Sequence, residues 1–158
     1  MRNTLILLAL LHSAAVGLGA RQGPRIVDSV DLSVARDEAA HACAGERTDT
    51  GRAAGRTWRS AAGWFACTLR TYDDSPLTLV FVLAAGSGER DTFDILVDGT
   101  RAATIDRAAD RQEPGEIRVD VPFDRTKGKL SVTVKIQARD GARTARVLEI
   151  RTVQEHLE

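Results

Sequence analysis

Over much of its length the chain alternates apolar and polar side chains in short runs. Leu130, Val132, Val134 and Ile136 alternate with Ser131, Thr133 and Lys135, the period-two pattern of a strand with one face in a core and the other in water. Ile117, Val119 and Val121 alternate with Arg118 and Asp120 in the same way, and Phe93, Ile95 and Val97 with Asp94, Leu96 and Asp98. Residues 77–85 are apolar at nearly every position, which predicts a central strand covered on both faces. Residues 64–72 and 144–153 also read as strands, with Phe65, Cys67 and Leu69 sharing one face. Asp98-Gly99 predicts a tight hairpin, and Gly86-Ser87-Gly88, Pro114-Gly115, Lys127-Gly128 and Asp140-Gly141 mark further turns.

Residues 21–57 are less regular. Ile26-Val27 predicts a short strand, followed by loops in which residues 37–42 form at most one helical turn before Gly45, Gly51 and Gly55. About seven or eight strands with no amphipathic helix predict an all-β fold, an antiparallel β-sandwich, with a barrel as the alternative.

Residues 1–20 stand apart. Arg2 precedes an uncharged stretch with the apolar run Leu5-Ile6-Leu7-Leu8-Ala9-Leu10-Leu11 and a small-residue close ending Gly17-Leu18-Gly19-Ala20, the pattern of a secretory signal peptide. The competing reading is a retained anchor, but the apolar core is shorter than the roughly 20 residues that cross a bilayer. The expectation is export to the periplasm or the medium, with residues 21–158 forming a single β-sandwich domain and no membrane span in the mature chain.

Lysine plus arginine number 22 and aspartate plus glutamate 22, for zero net charge, so the balance gives no nucleic-acid footprint. Hydrophobic residues at 43% with 28% charged indicate a globular domain. The two cysteines, Cys43 and Cys67, are expected to close a disulfide in an oxidising compartment, the alternative being two buried thiols. Catalysis has no motif: His41 and His156 are the histidines after residue 20, and neither lies near a nucleophile elbow, a Walker loop or a dinucleotide fingerprint. No enzyme activity is expected.

Candidate binding chemistry lies in residues 55–65, which hold both tryptophans and two arginines. An indole face stacks on the apolar face of a sugar ring while guanidinium groups donate to its hydroxyls. If the domain binds sugar, Trp58 and Arg59 are the expected contact surface, with Arg90 and His41 as polar partners; the competing reading has Trp58 seal one end of the core with Trp64 and Phe65, and Trp64 is assigned to the core.

Together, Glu38-x-x-His41, Gly55-Arg56-x-Trp58-Arg59-x-Ala61, Gly63-Trp64-Phe65 and Phe93-Asp94-Ile95-Leu96-Val97-Asp98-Gly99 resemble the C-terminal β-sandwich domain of bacterial β-L-arabinofuranosidases and related glycoside hydrolases, over about residues 28–152. The resemblance implies a galactose-binding-like jelly roll without an active site, serving as a carbohydrate-binding or accessory module whose partners are a carbohydrate or a glycoside hydrolase. The chain departs from the family pattern at Ala66-Cys67 and at Ala84-Ala85-Gly86, both with less aromatic surface. The other reading is an exported structural or protein-interaction domain that binds no sugar. No cofactor is expected, although such sandwiches often hold a structural calcium, for which Asp28, Asp31, Asp37 and Glu38 offer hard oxygen ligands.

Overall fold

The computed structural model describes residues 23–110, 112–139 and 141–154; the expected signal peptide and His156 lie outside them. Among the described residues nine strands form: β1 (Arg25–Asp31), β2 (Ala44–Ala53), β3 (Arg56–Arg70), β4 (Leu77–Leu83), β5 (Asp91–Val97), β6 (Thr100–Arg107), β7 (Gly115–Val121), β8 (Ser131–Ala138) and β9 (Val147–Gln154). Two short helices interrupt them, α1 (Ala35–Ala40) and α2 (Phe123–Thr126).

Neighbouring strands pair antiparallel throughout. One layer runs β2-β3-β8-β5-β6 and the other β1-β9-β4-β7, and the single pairing of Arg59 with Val147 joins them into one nine-stranded sheet. The inward faces of the two layers close on each other: Phe65, Cys67, Leu69, Ile95 and Ile136 from the first meet Leu79, Phe81, Val119 and Ile150 from the second in one apolar core. This is the all-β sandwich expected from the alternating pattern. The β5–β6 hairpin turns at Asp98 and Gly99, whose φ angles of 48° and 79° lie in the left-handed region that this dipeptide tolerates.

Four local expectations are corrected. Residues 44–53 form a ten-residue strand rather than a loop, because β2 is held by backbone pairing to β3 and keeps its side chains largely in solvent. Strand β3 begins at Arg56 and runs for fifteen residues. Helix α1 starts at Ala35, two residues before the expected turn. Leu130, read as a core position, precedes β8 and is 71% exposed.

Trp64 also leaves the core. Phe65, Cys67 and Leu69 point inward, so the strand's alternation sends Trp64 to the outer face, where it is half-buried. There its Nε1–H donates to Glu46 at 3.3 Å, and the Lys135 ammonium sits 4.6 Å from its ring centroid. The Cys43–Cys67 disulfide is formed, with Cα atoms 4.2 Å apart, and it ties the segment after α1 to the middle of β3.

Candidate functional site

A cleft of about 260 Å³ opens where the first half of β3 meets the loop before β5 and the segment before β9. Trp58 forms one wall. The indole lies across Gly51, its register partner on β2, where a side chain would collide with the ring. The Arg146 guanidinium stacks 4.5 Å from the ring centroid and is itself anchored by donating to the carbonyl oxygens of Gly86 at 3.0 Å and Ala85 at 3.4 Å. Trp58 is thereby held in one orientation by two different elements.

The interior of the cleft is polar. Ser60, Asp91 and Thr144 all line it and are 3%, 3% and 2% exposed. The Thr144 hydroxyl accepts from the Ala61 amide at 2.9 Å and donates to the Ala145 carbonyl, which fastens the segment before β9 to β3. On the rim, Arg143 pairs with Asp49 of β2. Glu89 stands opposite, on a loop fixed by the buried Gln112: the Gln112 side chain donates to the Glu89 carbonyl and accepts from the Gly88 amide at 3.3 Å.

Asp91 is the most perturbed group. Burial pushes its carboxyl up to about 6, against the pull of Arg107, Arg146 and Arg143, while Glu89 pushes in the same direction as burial. Its Oδ2 lies 3.5 Å from Arg107 Nη1, an ion pair without an aligned hydrogen bond, and both atoms are buried with no hydrogen-bond partner.

The four residues expected to form one contact surface are divided by the fold. Trp58 and Arg90 lie on adjoining depressions that share Glu89 and Arg143. Arg90 is held by Asp106 through bonds of 2.7 and 2.5 Å. Arg59, next to Trp58 in an extended strand, points to the opposite face and pairs with Glu38 of α1 at 2.7 Å. His41 lies at the end of α1, with Nδ1 2.7 Å from the Asp37 carbonyl and Nε2 3.3 Å from the Asp28 carboxylate. The sequence reading missed Asp49, Ser60, Glu89, Asp91, Arg143, Thr144 and Arg146. Asp91 did carry a signal, since it occupies the inward register of Phe93 and Ile95 in an otherwise apolar series.

The sequence profile of the family described as "Family of unknown function (DUF6805)" matches residues 24–153, nearly the whole of the described fold. The chain belongs to the DUF6805 family. A comparison with curated proteins finds no match. Among solved structures the DUF6805 chain is similar to a family 35 carbohydrate-binding module from an environmental isolate, at 13% identity and TM-score 0.58, covering 78% of this chain and 90% of that one. It is similar to a native family 35 module from Clostridium thermocellum at 13% identity and TM-score 0.53, covering 83% and 98%. A third likeness is to a family 36 module solved with calcium and xylotriose, at 14% identity and TM-score 0.51, covering 78% and 98%. At these identities the likeness shows the fold, the jelly-roll sandwich of carbohydrate-binding modules, and no site residue.

In the DUF6805 chain the four carboxylates considered for calcium are already engaged. Burial would raise Asp28, but hydrogen bonds from the Arg70 amide, His41 and the Arg70 guanidinium hold its carboxyl below the usual range. Asp31 is likewise held low despite burial, by Ser33 and Arg56. Glu38 faces Arg59, and Asp37 Oδ2 accepts from the Asp31 amide at 3.4 Å. Among the described residues no three His, Cys, Asp or Glu side chains converge as a cation site. This donor set does not fit a calcium cage, which needs six to eight oxygens turned toward one point.

Proposed function

We propose that this protein is a non-catalytic carbohydrate-binding module whose site is the Trp58 cleft. The observation that carries the reading is an indole fixed at the wall of a polar cleft, with Ser60, Asp91 and Thr144 inside it, on a sandwich of the carbohydrate-binding-module kind. A sugar ring needs both parts, an aromatic surface for its C–H face and oriented acceptors and donors for its hydroxyls, and to stack on Trp58 it displaces the Arg146 guanidinium from the indole face. Both cysteines are closed in the disulfide, and His41 is committed to Asp37 and Asp28, which supports a binding role rather than nucleophilic chemistry. Export and service to a glycoside hydrolase complete the proposal. They rest on the apolar leader-like residues 1–20, on the disulfide, and on the resemblance to the accessory domains of such enzymes.

Affinity electrophoresis of the protein against a panel of soluble plant and bacterial polysaccharides tests the proposal. Retardation by at least one of them is expected, and Trp58→Ala is expected to remove it while lowering stability by less than about 1.5 kcal/mol, because the ring is only half-buried. A second reading, an exported structural or protein-interaction domain, is favoured by Arg146, which already occupies an indole face. If no polysaccharide retards the protein and Trp58→Ala instead costs the 3–5 kcal/mol typical of emptying a buried aromatic site, at about that magnitude, the structural reading stands.

Calcium is expected to have no structural part. Because the candidate carboxylates face arginines, His41 and backbone amides, added calcium or EDTA should leave the melting temperature unchanged. A cation present at about 100 times its dissociation constant would add about 2.7 kcal/mol, and a rise of that size on adding calcium would overturn the expectation.

A further inference from the structure

Resting on the reading of the Trp58 cleft as a sugar site, we infer that Asp91 is its specificity-determining acceptor and that the cleft selects a neutral sugar, whose hydroxyl donates to the Asp91 carboxylate, over an acidic one.

Three observations carry this. First, a carboxylate that is 3% exposed lines the cleft and accepts no hydrogen bond: its Oδ2 is closed in against Arg107 at 3.5 Å, which leaves Oδ1 as the oxygen that a donor in the cleft can reach. Buried polar atoms are almost always satisfied, and one that is not leaves a place for a donor from outside the chain. A hydroxyl reaching a carboxylate forms a charge-assisted bond, roughly twice as strong as a neutral one.

Second, the charges of the lining disfavour an anion. Asp49, Glu89 and Asp91 face Arg143 and Arg146, with Arg107 behind Asp91, so the guanidinium groups are matched one for one by carboxylates. Arg143 is paired with Asp49, and Arg146 is committed to the Trp58 ring and to two carbonyls. A uronate or a sulfated sugar would meet the carboxylates of Glu89 and Asp91 and guanidinium groups that already have partners. Third, the volume of about 260 Å³ suits one sugar ring beside Asp91, and a longer chain would run on into the adjoining depression at Arg90.

The consequence is a pH dependence with a definite sign. The charged groups facing Asp91 are Arg107 on β6, Arg143 and Arg146 before β9, and Glu89 on the loop before β5, with Asp49 of β2 behind Arg143. Asp91 titrates at about 6 in this setting. A hydroxyl donor needs the ionised form, so a neutral sugar binds more tightly as pH rises through that value. At about pH 5 only about a tenth of the carboxyl is ionised, and the apparent affinity falls about tenfold from its value near pH 7.5. An acidic sugar shows the reverse trend, since protonating Asp91 removes a repulsion.

Calorimetric titration of the full chain at about pH 5, 6 and 7.5 with xylose, arabinose, galactose and their short oligomers, and with glucuronic and galacturonic acids, reads both signs. The expected result is binding of a neutral sugar that tightens about tenfold across the range, is lost in Trp58→Ala and becomes flat with pH in Asp91→Asn. Because that variant leaves Arg107 without its partner and can fail to fold, carboxyl carbon NMR of the unaltered protein gives an independent reading. Saturation with the neutral sugar should lower the Asp91 midpoint. Trp58-dependent binding that is indifferent to pH, that prefers the uronic acids, or that leaves the Asp91 midpoint unmoved overturns the Asp91 inference and keeps the sugar site. Failure of every sugar to bind at every pH, or binding unchanged in Trp58→Ala, overturns the sugar site itself.

Discussion

Phe65→Ala is expected to destabilise the protein by about 3–5 kcal/mol, while Trp64→Ala, one residue earlier, should cost about 1 kcal/mol. Phe65 is fully buried among the apolar side chains of both layers, so its loss leaves a cavity in the centre of the sandwich. Trp64 faces outward, and what it loses is the Lys135 contact and the bond to Glu46. For a domain of this size each kcal/mol moves the midpoint by roughly 2–8 °C, so thermal melts should separate the two variants by at least about 4 °C. Equal losses would mean that the β3 alternation is displaced by one residue, since a one-residue slip exchanges the two faces.

The same pair of residues shows what the amino-acid pattern could and could not reveal. Alternation is written into the sequence wherever one face of a strand enters the core, which is why β5, β7, β8 and the second half of β3 were legible. Strand β2 sends nothing into the core and therefore leaves no alternation to read. The first half of β3 is similarly silent, with Arg56, Thr57, Trp58 and Arg59 all half-buried. Without knowing that a strand already ran through residue 58, nothing in the chain indicated that Trp58 and Arg59 face opposite ways. The cleft was less legible still. Its walls come from residues 49–50, 58–60, 87–91 and 143–146, which converge only because the segment before β9 pairs back onto β3. That pairing is a long-range consequence of sheet order, whereas the aromatic content of residues 55–65 is local and was seen.

Breaking the Cys43–Cys67 disulfide is expected to cost about 3 kcal/mol, the loop-closure entropy of a bridge spanning 24 residues. The effect should be largest near α1. That helix buries none of its own residues and has no side-chain hydrogen bond at its N-cap, so what holds it is its connections: Arg59 to Glu38, His41 to Asp28, the Thr68 amide to the His41 carbonyl at 2.7 Å, and the disulfide that follows. Cys67 is 1% exposed at the centre of β3, so the bridge anchors a surface segment to the most stable part of the sheet. The test is a Cys43→Ala/Cys67→Ala double variant, which avoids burying a new polar group, melted beside the oxidised protein. Its midpoint should fall by about 10 °C, at roughly 2–8 °C for each kcal/mol. Hydrogen exchange should quicken first at the amides of Cys43 and Thr68, whose acceptors are the Glu38 and His41 carbonyls. The Ala61 amide, held by Thr144 on the cleft side of β3, should keep its protection until global unfolding. Midpoints within about 2 °C of each other would show that the ion pairs alone hold α1 and that closing the loop contributes little.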